Sequence, residues 1–282
     1  MSTKSWTRAC AAMAAAICTL AVAAPGFPQD GDTIQGRLDS AGEGGVVDLD
    51  AGDYLLKRPL TFRSRVTVNG PLKGKAVLDA SALPAPLTLK VDRLDGVLLR
   101  RLEFRNVILH VSGTTAHDAG RDVTLESCTF IDTKRVDGAP TGFILATYAT
   151  RLTIRDCTFL RSREHHGEGV CFWRSHASTL EKCRFGESGS AFPARLFGHF
   201  TNAVYVQGWD RDEHNSNLRC VDIKLAGNTI RRSPEAAPEE DHGIYALGAK
   251  GLSICDNDIS GWTTELSGGA IKARDGCDYI IN

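Results

Sequence analysis

Six short segments of this chain can be aligned so that one apolar residue falls at the same place in each. The segments are DGVLLRRLEF, RDVTLESCTF, RLTIRDCTF, STLEKCRF, VDIKLAGNTI and LSICDNDI. Their last residues, Phe104, Phe130, Phe159, Phe185, Ile230 and Ile259, follow one another at intervals of 26, 29, 26, 45 and 29 residues. Apolar and polar residues alternate within each segment, and this period of two predicts strands. Strands that recur at such intervals predict a solenoid of stacked coils.

A second repeated position lies two residues before the last residue of five segments. It is occupied by Cys128, Cys157, Cys183, Asn228 and Asn257. A side chain that recurs at one corner of successive coils can hydrogen-bond to the neighbouring backbone. In this respect the sequence resembles right-handed parallel β-helices of the pectate-lyase-like superfamily, from roughly Gly31 to its last residue. The resemblance implies an all-β, single-stranded solenoid, and a parallel crossover is nearly always right-handed.

The two ends of the predicted solenoid have features of their own. The segment Asp30–Pro71 resembles the N-terminal cap and first coils of secreted β-helix enzymes, with a capping helix or turn around Thr33–Ser40. A cap is expected because a solenoid has an open apolar core at each end. At the other end, Asp278–Asn282 aligns with the first half of LSICDNDI. We therefore expect one β-helix domain over residues 24–282, with a last coil that is cut short.

The N-terminus predicts export. Lys4 and Arg8 precede the small and apolar run Ala9–Ala24, in which Ala21, Val22 and Ala23 resemble a cleavage site. These features are typical of a signal peptide, here residues 1–23, which would leave a secreted or periplasmic protein. No later apolar stretch reaches the length of about 20 residues that a membrane span requires. We therefore expect no membrane partner.

Charge and cysteine content limit the partners further. The chain has 33 basic and 34 acidic residues, so no overall charge attracts nucleic acid, and we expect a monomer. Of nine cysteines, Cys10 and Cys18 lie in the predicted signal peptide, which leaves an odd number. Free buried thiols are the first expectation, and one disulfide within the repeated corner is the alternative. The sequence contains no CxxC pair of the kind that binds zinc, so we expect no zinc site.

A third set of aligned segments carries the candidate chemistry. In NAVYVQ, HGIYAL and GAIKAR, alternation places Tyr205, Tyr245 and Lys272 on the outside of the coil if their apolar neighbours point inward. We call these three residues the outer column. Arg274 follows two residues after Lys272, and His242 opens the strand of Tyr245. The plain alternative is a solvated outer face without a function.

The outer column suits a polysaccharide lyase. Elimination from a uronic acid requires removal of the proton next to the carboxylate, stabilisation of the resulting charge and protonation of the leaving oxygen. Arg274 could hold the carboxylate. Lys272 could act as the base and Tyr245 as the acid, or these two roles could be exchanged. His242 is a fourth catalytic candidate. The sequence also resembles secreted lyase families that include alginate lyases and chondroitinase B. That resemblance implies cleavage on an external sheet by Lys, Arg or Tyr, or with calcium.

The sequence lacks three signatures of related enzymes. It has no Asp-Pro-His motif of alginate C5-epimerases, no WIDH-type pectate-lyase motif and no clustered aspartates of polygalacturonases. Calcium is not required by this interpretation, although Asp210, Asp212 and Asn215 have a calcium-like spacing. That segment lacks the glycine and the distal glutamate of an EF-hand, so we predict no metal site.

Further candidates for substrate binding flank the outer column. They are Tyr205 itself, Gln207, Trp209, Trp173, His165 and His166. The two tryptophans could stack on sugar rings or pack under loops. The adjacent histidines could simply be exposed to solvent. As metal ligands they would require a third ligand, such as Glu168.

Three functions remain open at this stage. The first is a lyase that acts on an acidic polysaccharide, with alginate as the first substrate to test. The second is a glycoside hydrolase, which needs two carboxylates roughly 5–9.5 Å apart, with Asp241 and Glu168 as candidates. The third is a carbohydrate-binding or surface solenoid without activity, because a fold alone does not determine a function.

Overall fold

A computed structural model describes residues 29–113, 120–134, 142–186, 194–208, 219–236, 242–262 and 268–282. Its strands form three long sheets and one short pair, and neighbouring described strands pair in parallel. The chain is a right-handed parallel β-helix, as the repeat predicts. The predicted signal peptide, residues 1–23, lies outside the described residues.

Each long sheet runs along the axis of the coil. Sheet A contains β1 (Gln29–Asp30), β3 (Gly52–Leu55), β5 (Ala76–Asp79), β8 (Leu102–Arg105), β11 (Thr129–Ile131), β14 (Thr158–Leu160), β17 (Arg184–Phe185), β21 (Thr229–Arg231) and β25 (Asp258–Ser260). Sheet B contains β2 (Val46–Asp48), β4 (Thr67–Asn69), β7 (Leu98–Arg100), β10 (Thr124–Glu126), β13 (Thr153–Arg155), β16 (Thr179–Glu181), β20 (Lys224–Ala226), β24 (Leu252–Cys255) and β27 (Tyr279–Ile281).

Sheet C carries the segments of the outer column. It contains β6 (Leu87–Asp92), β9 (Val107–Ser112), β12 (Ile144–Thr147), β15 (Val170–Trp173), β18 (Asn202–Gln207), β22 (His242–Leu247) and β26 (Gly269–Arg274). The short pair consists of β19 (Cys220–Val221) and β23 (Ala249–Lys250), and the described helices are α1 (Gly31–Ala41), a 3-10 helix (Arg163–His165) and α2 (Ala194–Phe197). From β7 onward, each coil passes through sheets B, A and C in that order.

The predicted phenylalanine anchors form one stack inside the coil. The ring centroids of Phe104 and Phe130 are 4.8 Å apart, those of Phe130 and Phe159 5.2 Å, and those of Phe159 and Phe185 4.6 Å. The interplanar angles lie between 13° and 20°, so the rings are nearly parallel. Burial of each such side chain contributes about 1.5–3 kcal/mol. The predicted ladder is confirmed, and it continues in register from Phe185 to Ile230.

The corner between sheets B and A also repeats as predicted. Cys183 Sγ donates to the carbonyl of Ile154 in the preceding coil at 3.6 Å, and Asn228 Nδ2 donates to Leu180 O at 3.0 Å. The amide oxygen of Asn228 in turn accepts from the backbone N–H of Cys183 at 2.9 Å. Thiols and amides therefore donate hydrogen bonds to equivalent backbone carbonyls at this corner of successive coils. All seven cysteines outside the predicted signal peptide are free thiols.

The first helix lies against the first strands. Asp30 caps α1, because its side chain accepts a hydrogen bond from the backbone N–H of Asp32 at 3.2 Å. Ile34 and Leu38, one helical turn apart, are buried in the core of the coil. This packing is the one expected of the predicted capping helix. At the opposite end, β27 pairs with β24, as the alignment of Asp278–Asn282 with LSICDNDI predicts.

Candidate functional site

The outer column lies across three neighbouring strands of sheet C. The register pairs Tyr205 of β18 with Tyr245 of β22, and Tyr245 with Lys272 of β26. Successive side chains of a strand point to opposite faces. The chain neighbours of both tyrosines are completely buried: Val204, Val206, Ile244 and Ala246. The outer column therefore faces away from the core, in the order that the sequence predicts.

Tyr245 is held between two rings. Its ring centroid lies 5.3 Å from that of Tyr205, with an interplanar angle of 21°. On another side, the imidazole of His242 lies 5.0 Å from the Tyr245 ring, at 27°. His242 is the first residue of β22, as expected, but it is only 4% exposed. The imidazole is thus placed to support the Tyr245 ring, and the stack limits how the phenol can move.

Burial sets the protonation state of Tyr205. Removal of this half-buried phenol from water raises its pKa to about 12, and the nearby Tyr245, Cys171 and Glu168 add to the increase. Tyr205 therefore keeps its proton near neutral pH. It is suited to donate a hydrogen bond and is unsuited to remove a proton.

The cations at the end of the outer column differ in exposure. Lys272 is partly exposed, and Arg274 is exposed at the last position of β26. The Arg274 Nε donates to Asp275 Oδ2 at 3.1 Å, and Asp275 and then Tyr245 raise the pKa of the guanidinium. The two side chains of this ion pair are 53% and 57% exposed. Ion pairs with such exposure are weak, so a substrate carboxylate could compete with Asp275.

A second row of side chains runs beside the outer column. The register places Trp173, Gln207, Leu247 and Arg274 at equivalent positions of β15, β18, β22 and β26. Trp173 is 46% exposed, so its ring is accessible to a ligand. Trp173 and Gln207 therefore lie where the sequence places them. Trp209, Asp210, Asp212 and Asn215 fall within 209–218, outside the described residues.

The adjacent histidines have different surroundings. His165 Nδ1 lies 3.3 Å from Ser162 Oγ and 3.7 Å from Asp132 Oδ1. His166 Nδ1 lies 3.4 Å from Thr201 Oγ1, just before β18. His166 is therefore linked to the edge of sheet C near the outer column, whereas His165 contacts the residue that follows β11 of sheet A.

Two residues that the sequence analysis did not name, Cys171 and Asn202, also lie along these strands, close to the candidate Glu168. Cys171 continues the outer column, because it pairs in register with Tyr205. Asn202 pairs with His242, and its Oδ1 atom is buried without a hydrogen-bond partner among the described residues. The backbone N–H of Gly169 donates to Asn202 O, which brings the preceding Glu168 to the same end of the sheet. The alignment of EGVCFWR, NAVYVQ and HGIYAL contains the signal for all three positions.

A buried arginine lies beneath this end of the sheet. The Nη1 atom of Arg161 donates to His165 O at 2.6 Å and to Thr133 O at 3.2 Å, and Nη2 donates to Thr133 Oγ1 at 2.9 Å. Its guanidinium carbon lies 4.3 Å from the centre of the Phe143 ring. Burial lowers the pKa of Arg161 to about 10, while the charge of Glu168 acts in the opposite direction. Arg161 thus stabilises the turn that leads to Glu168.

Neither a metal-binding cluster nor a membrane-spanning helix is found among the described residues. Within 29–282, leaving aside the gaps in those ranges, no three His, Cys, Asp or Glu side chains are grouped to hold a metal ion. In the same part of the chain, no helix has the length and apolar character of a transmembrane segment. Asp241, one half of the candidate hydrolase pair, lies outside the described residues.

The outer face of sheet C therefore brings together phenols, an ammonium group and a guanidinium, with a buried imidazole packed against one of the phenols. Phenol and ammonium groups can exchange protons with a substrate, and a guanidinium can bind a carboxylate through paired hydrogen bonds. The face can thus combine proton transfer with recognition of an acidic ligand.

Comparison with known proteins supports the fold. The sequence matches no protein-family model, and no curated protein matches it. Among solved structures, the mannuronan C-5 epimerase AlgE6 A-module of Azotobacter vinelandii superposes with a TM-score of 0.52 and 15% identity, over 83% of this chain and 67% of that chain. The AlgE4 A-module from the same organism gives a TM-score of 0.36 and 14% identity, over 92% and 97% of the two chains. The chain shares the parallel β-helix fold of the AlgE6 A-module.

Proposed function

We propose that this protein is a secreted polysaccharide lyase that cleaves a uronic-acid-containing polymer by β-elimination. The observation that carries the proposal is the alignment of Tyr205, Tyr245 and Lys272 on one outer face, with Arg274 beside them. The proposed division of roles follows from the exposure and contacts of these groups.

Proton removal is assigned to the partly exposed end of the outer column. Lys272 acts as the base toward the proton next to the substrate carboxylate, and Tyr245 donates a proton to the leaving oxygen, or the two exchange roles. Because the rings of Tyr205 and His242 pack on Tyr245, its phenol is held in place before substrate binds. Tyr205 contributes a hydrogen bond and keeps its own proton, since its pKa is about 12.

Charge stabilisation is assigned to Arg274. Removal of the proton places additional negative charge on the substrate carboxylate, and a guanidinium binds such a group more strongly as that charge develops. Arg274 is the exposed cation in the position next to Lys272 on the same strand face. In the resting protein its Nε donates to Asp275, which the substrate carboxylate replaces.

An alginate-like polymer is the proposed substrate class. The AlgE6 A-module is a mannuronan C-5 epimerase, and mannuronan is a polymer of a uronic acid. This likeness makes mannuronan the first polymer to test. Export is proposed from the predicted signal peptide, which would bring the enzyme to extracellular polymers.

The products of incubation with polyuronates test the proposal. A lyase produces chains with an unsaturated end that absorbs ultraviolet light, together with new reducing ends. New reducing ends without that absorbance would indicate a hydrolase. Altered sugar stereochemistry without new ends would indicate an epimerase, and binding without any product would indicate a carbohydrate-binding solenoid. Each of these last three outcomes contradicts the proposed elimination.

A further inference from the structure

The corner that follows sheet C contains an arginine, Arg174, that forms no ion pair with any carboxylate of the described residues. Arg174 follows β15, and Tyr148 occupies the equivalent position after β12, where its backbone N–H donates to Trp173 O at 2.9 Å. The Nη1 atom of Arg174 donates to the hydroxyl of Tyr148. No carboxylate among the described residues forms an ion pair with Arg174, and its buried Nε has no hydrogen-bond partner there.

Two aromatic rings hold the guanidinium in place. The Arg174 guanidinium carbon lies 5.5 Å from the centre of the Tyr148 ring and 6.0 Å from that of the Trp173 ring. Cation–aromatic contacts at these distances are favourable. Together with the hydrogen bond to Tyr148, they fix the orientation of the guanidinium, and no described residue accepts a hydrogen bond from its Nη2 atom.

Glycines follow the next two strands of sheet C at the same corner. The backbone N–H of Arg174 donates to Gln207 O, that of Gly208 donates to Leu247 O, and that of Gly248 donates to Arg274 O. The positions beside Arg174 at this corner are therefore glycine in the next two coils, while Gln207 and Leu247 lie between Trp173 and Arg274 in the second row. Three strand spacings separate β15 from β26, so Arg174 and Arg274 lie roughly 14 Å apart along the axis. This distance is suitable for two carboxylates on separate units of one polymer.

We propose that Tyr148, Trp173 and Arg174 form a carboxylate-binding subsite for a second uronate unit, next to the outer column. Arg174 binds the carboxylate through its Nη2 donors, Tyr148 orients the guanidinium, and Trp173 offers its exposed ring to the sugar. The subsite rests on the proposed function in one respect, since it assumes that an acidic polysaccharide lies along sheet C. It takes no part in proton transfer.

Equilibrium binding tests the subsite separately from catalysis. Titration calorimetry would compare a mannuronan oligosaccharide with its carboxyl-reduced, neutral form, using the protein with and without each single substitution in a Lys272→Ala background, in which the acidic ligand is not cleaved during the titration. Charged hydrogen bonds are strong enough that Arg174→Gln should weaken binding of the acidic oligosaccharide by about 10-fold or more. Tyr148→Phe should weaken it by a smaller factor of about 3-fold, because the ring remains but the hydroxyl that orients Arg174 is lost.

The neutral oligosaccharide and a matched arginine provide the controls. Arg174→Gln should leave affinity for the neutral oligosaccharide unchanged, because that ligand has no carboxylate to bind. Arg151→Gln should leave affinity for both ligands unchanged, since Arg151 is an exposed arginine that already pairs with Asp122. Thermal unfolding of all three variants should match the wild type closely enough to exclude misfolding as the cause of weaker binding.

The outcomes separate the subsite from the proposed reaction. Wild-type affinity of Arg174→Gln for the acidic oligosaccharide, or equal losses for the acidic and neutral forms, would overturn the subsite even if unsaturated products are formed. Carboxylate-dependent binding through Arg174 without any unsaturated product would support the subsite and contradict the proposed elimination reaction. A wild-type protein that does not bind the acidic oligosaccharide would also overturn the subsite.

Discussion

At the scale of single residues, the side chains on the outer face of sheet C differ in their surroundings and in how deeply they are buried. Tyr205 and Tyr245 are neighbours in register and both are partly buried, and burial raises the pKa of Tyr205 to about 12. Tyr205 pairs with Cys171 on its other side, and Glu168 is close enough to contribute. The two phenols therefore have different surroundings, which fits different roles in substrate binding and proton transfer.

The raised pKa of Tyr205 predicts how stability changes at high pH. The unfolded chain loses this proton near the ordinary value of 10, whereas the folded protein holds it to about 12. The contribution of Tyr205 to the free energy of unfolding is therefore fully present below pH 10 and is lost as the pH rises toward 12. Because the phenol is only half buried, we expect a loss of about 1 kcal/mol in unfolding free energy over this range.

Chemical unfolding at several alkaline pH values measures this effect. Tyr205→Phe should reduce the fall in unfolding free energy between pH 10 and pH 12, because phenylalanine has no proton to lose. Tyr279→Phe is the matched control, since Tyr279 is exposed on β27 and should leave the pH dependence unchanged. An equal fall in wild type and Tyr205→Phe would show that Tyr205 is not the group responsible.

At the scale of the strand and its corners, stability is carried by ladders that link each coil to the next. Phe159 stacks on Phe130 and on Phe185, and it is fully buried. Phe159→Ala should therefore lower the free energy of unfolding by about 3–5 kcal/mol through lost burial and a cavity. Thr158→Ala, on the same strand but outside the core, should change it by less than about 0.5 kcal/mol.

Urea unfolding of both variants provides the measurement. A loss for Phe159→Ala well below 1 kcal/mol would contradict its central place in the core. A similar loss for Thr158→Ala would instead indicate that the strand tolerates no substitution, whichever way the side chain points.

The corner ladder predicts a difference between two substitutions of Asn228. Its side chain donates to Leu180 O and accepts from the backbone N–H of Cys183. Asn228→Ala leaves these buried groups unpaired, which should lower the free energy of unfolding by about 1–3 kcal/mol. Asn228→Cys should cost less, because Cys183 occupies the same corner and donates to a carbonyl of the preceding coil.

The same urea titration compares the two variants of Asn228. If alanine and cysteine give equal stability, the thiols and amides of this corner do not have the equivalent role that their shared position indicates. If cysteine is the more damaging of the two, size rather than hydrogen bonding determines what the corner accepts.

The fold could be predicted from these elements because their physical period is visible in the sequence. Alternation identifies each strand, and the positions of Phe159 and Asn228 identify the core and the corner of each coil. The outer column followed from the same alternation. Arg161 could not be predicted as buried, because its hydrogen-bond partners Thr133 and His165 lie outside the strands that the pattern marks. The contact between Arg174 and Tyr148 was also not predicted, since Tyr148 lies outside the strands that the pattern marks.

At the scale of the whole molecule, the solenoid converts a sequence repeat into an extended surface. Each strand of sheet C adds about 4.8 Å along the axis, so outward side chains of successive coils form rows suited to a linear polymer. The formal net charge is −1, so the overall charge provides little attraction for a polyanion. Recognition of an acidic chain must then depend on local cations, which Lys272, Arg274 and Arg174 supply on this face.

The most direct test of the elimination site is the rate at which Lys272→Ala forms unsaturated ends from mannuronan, measured by ultraviolet absorbance. Loss of a proton-transfer group should lower the rate by about 10²–10⁴-fold. Thermal unfolding should remain close to that of wild type, because an outward side chain supplies little packing. Lys250→Ala, an exposed lysine on β23, should retain wild-type activity. A folded Lys272→Ala protein that forms unsaturated ends at the wild-type rate would contradict the assignment of proton transfer to the outer column.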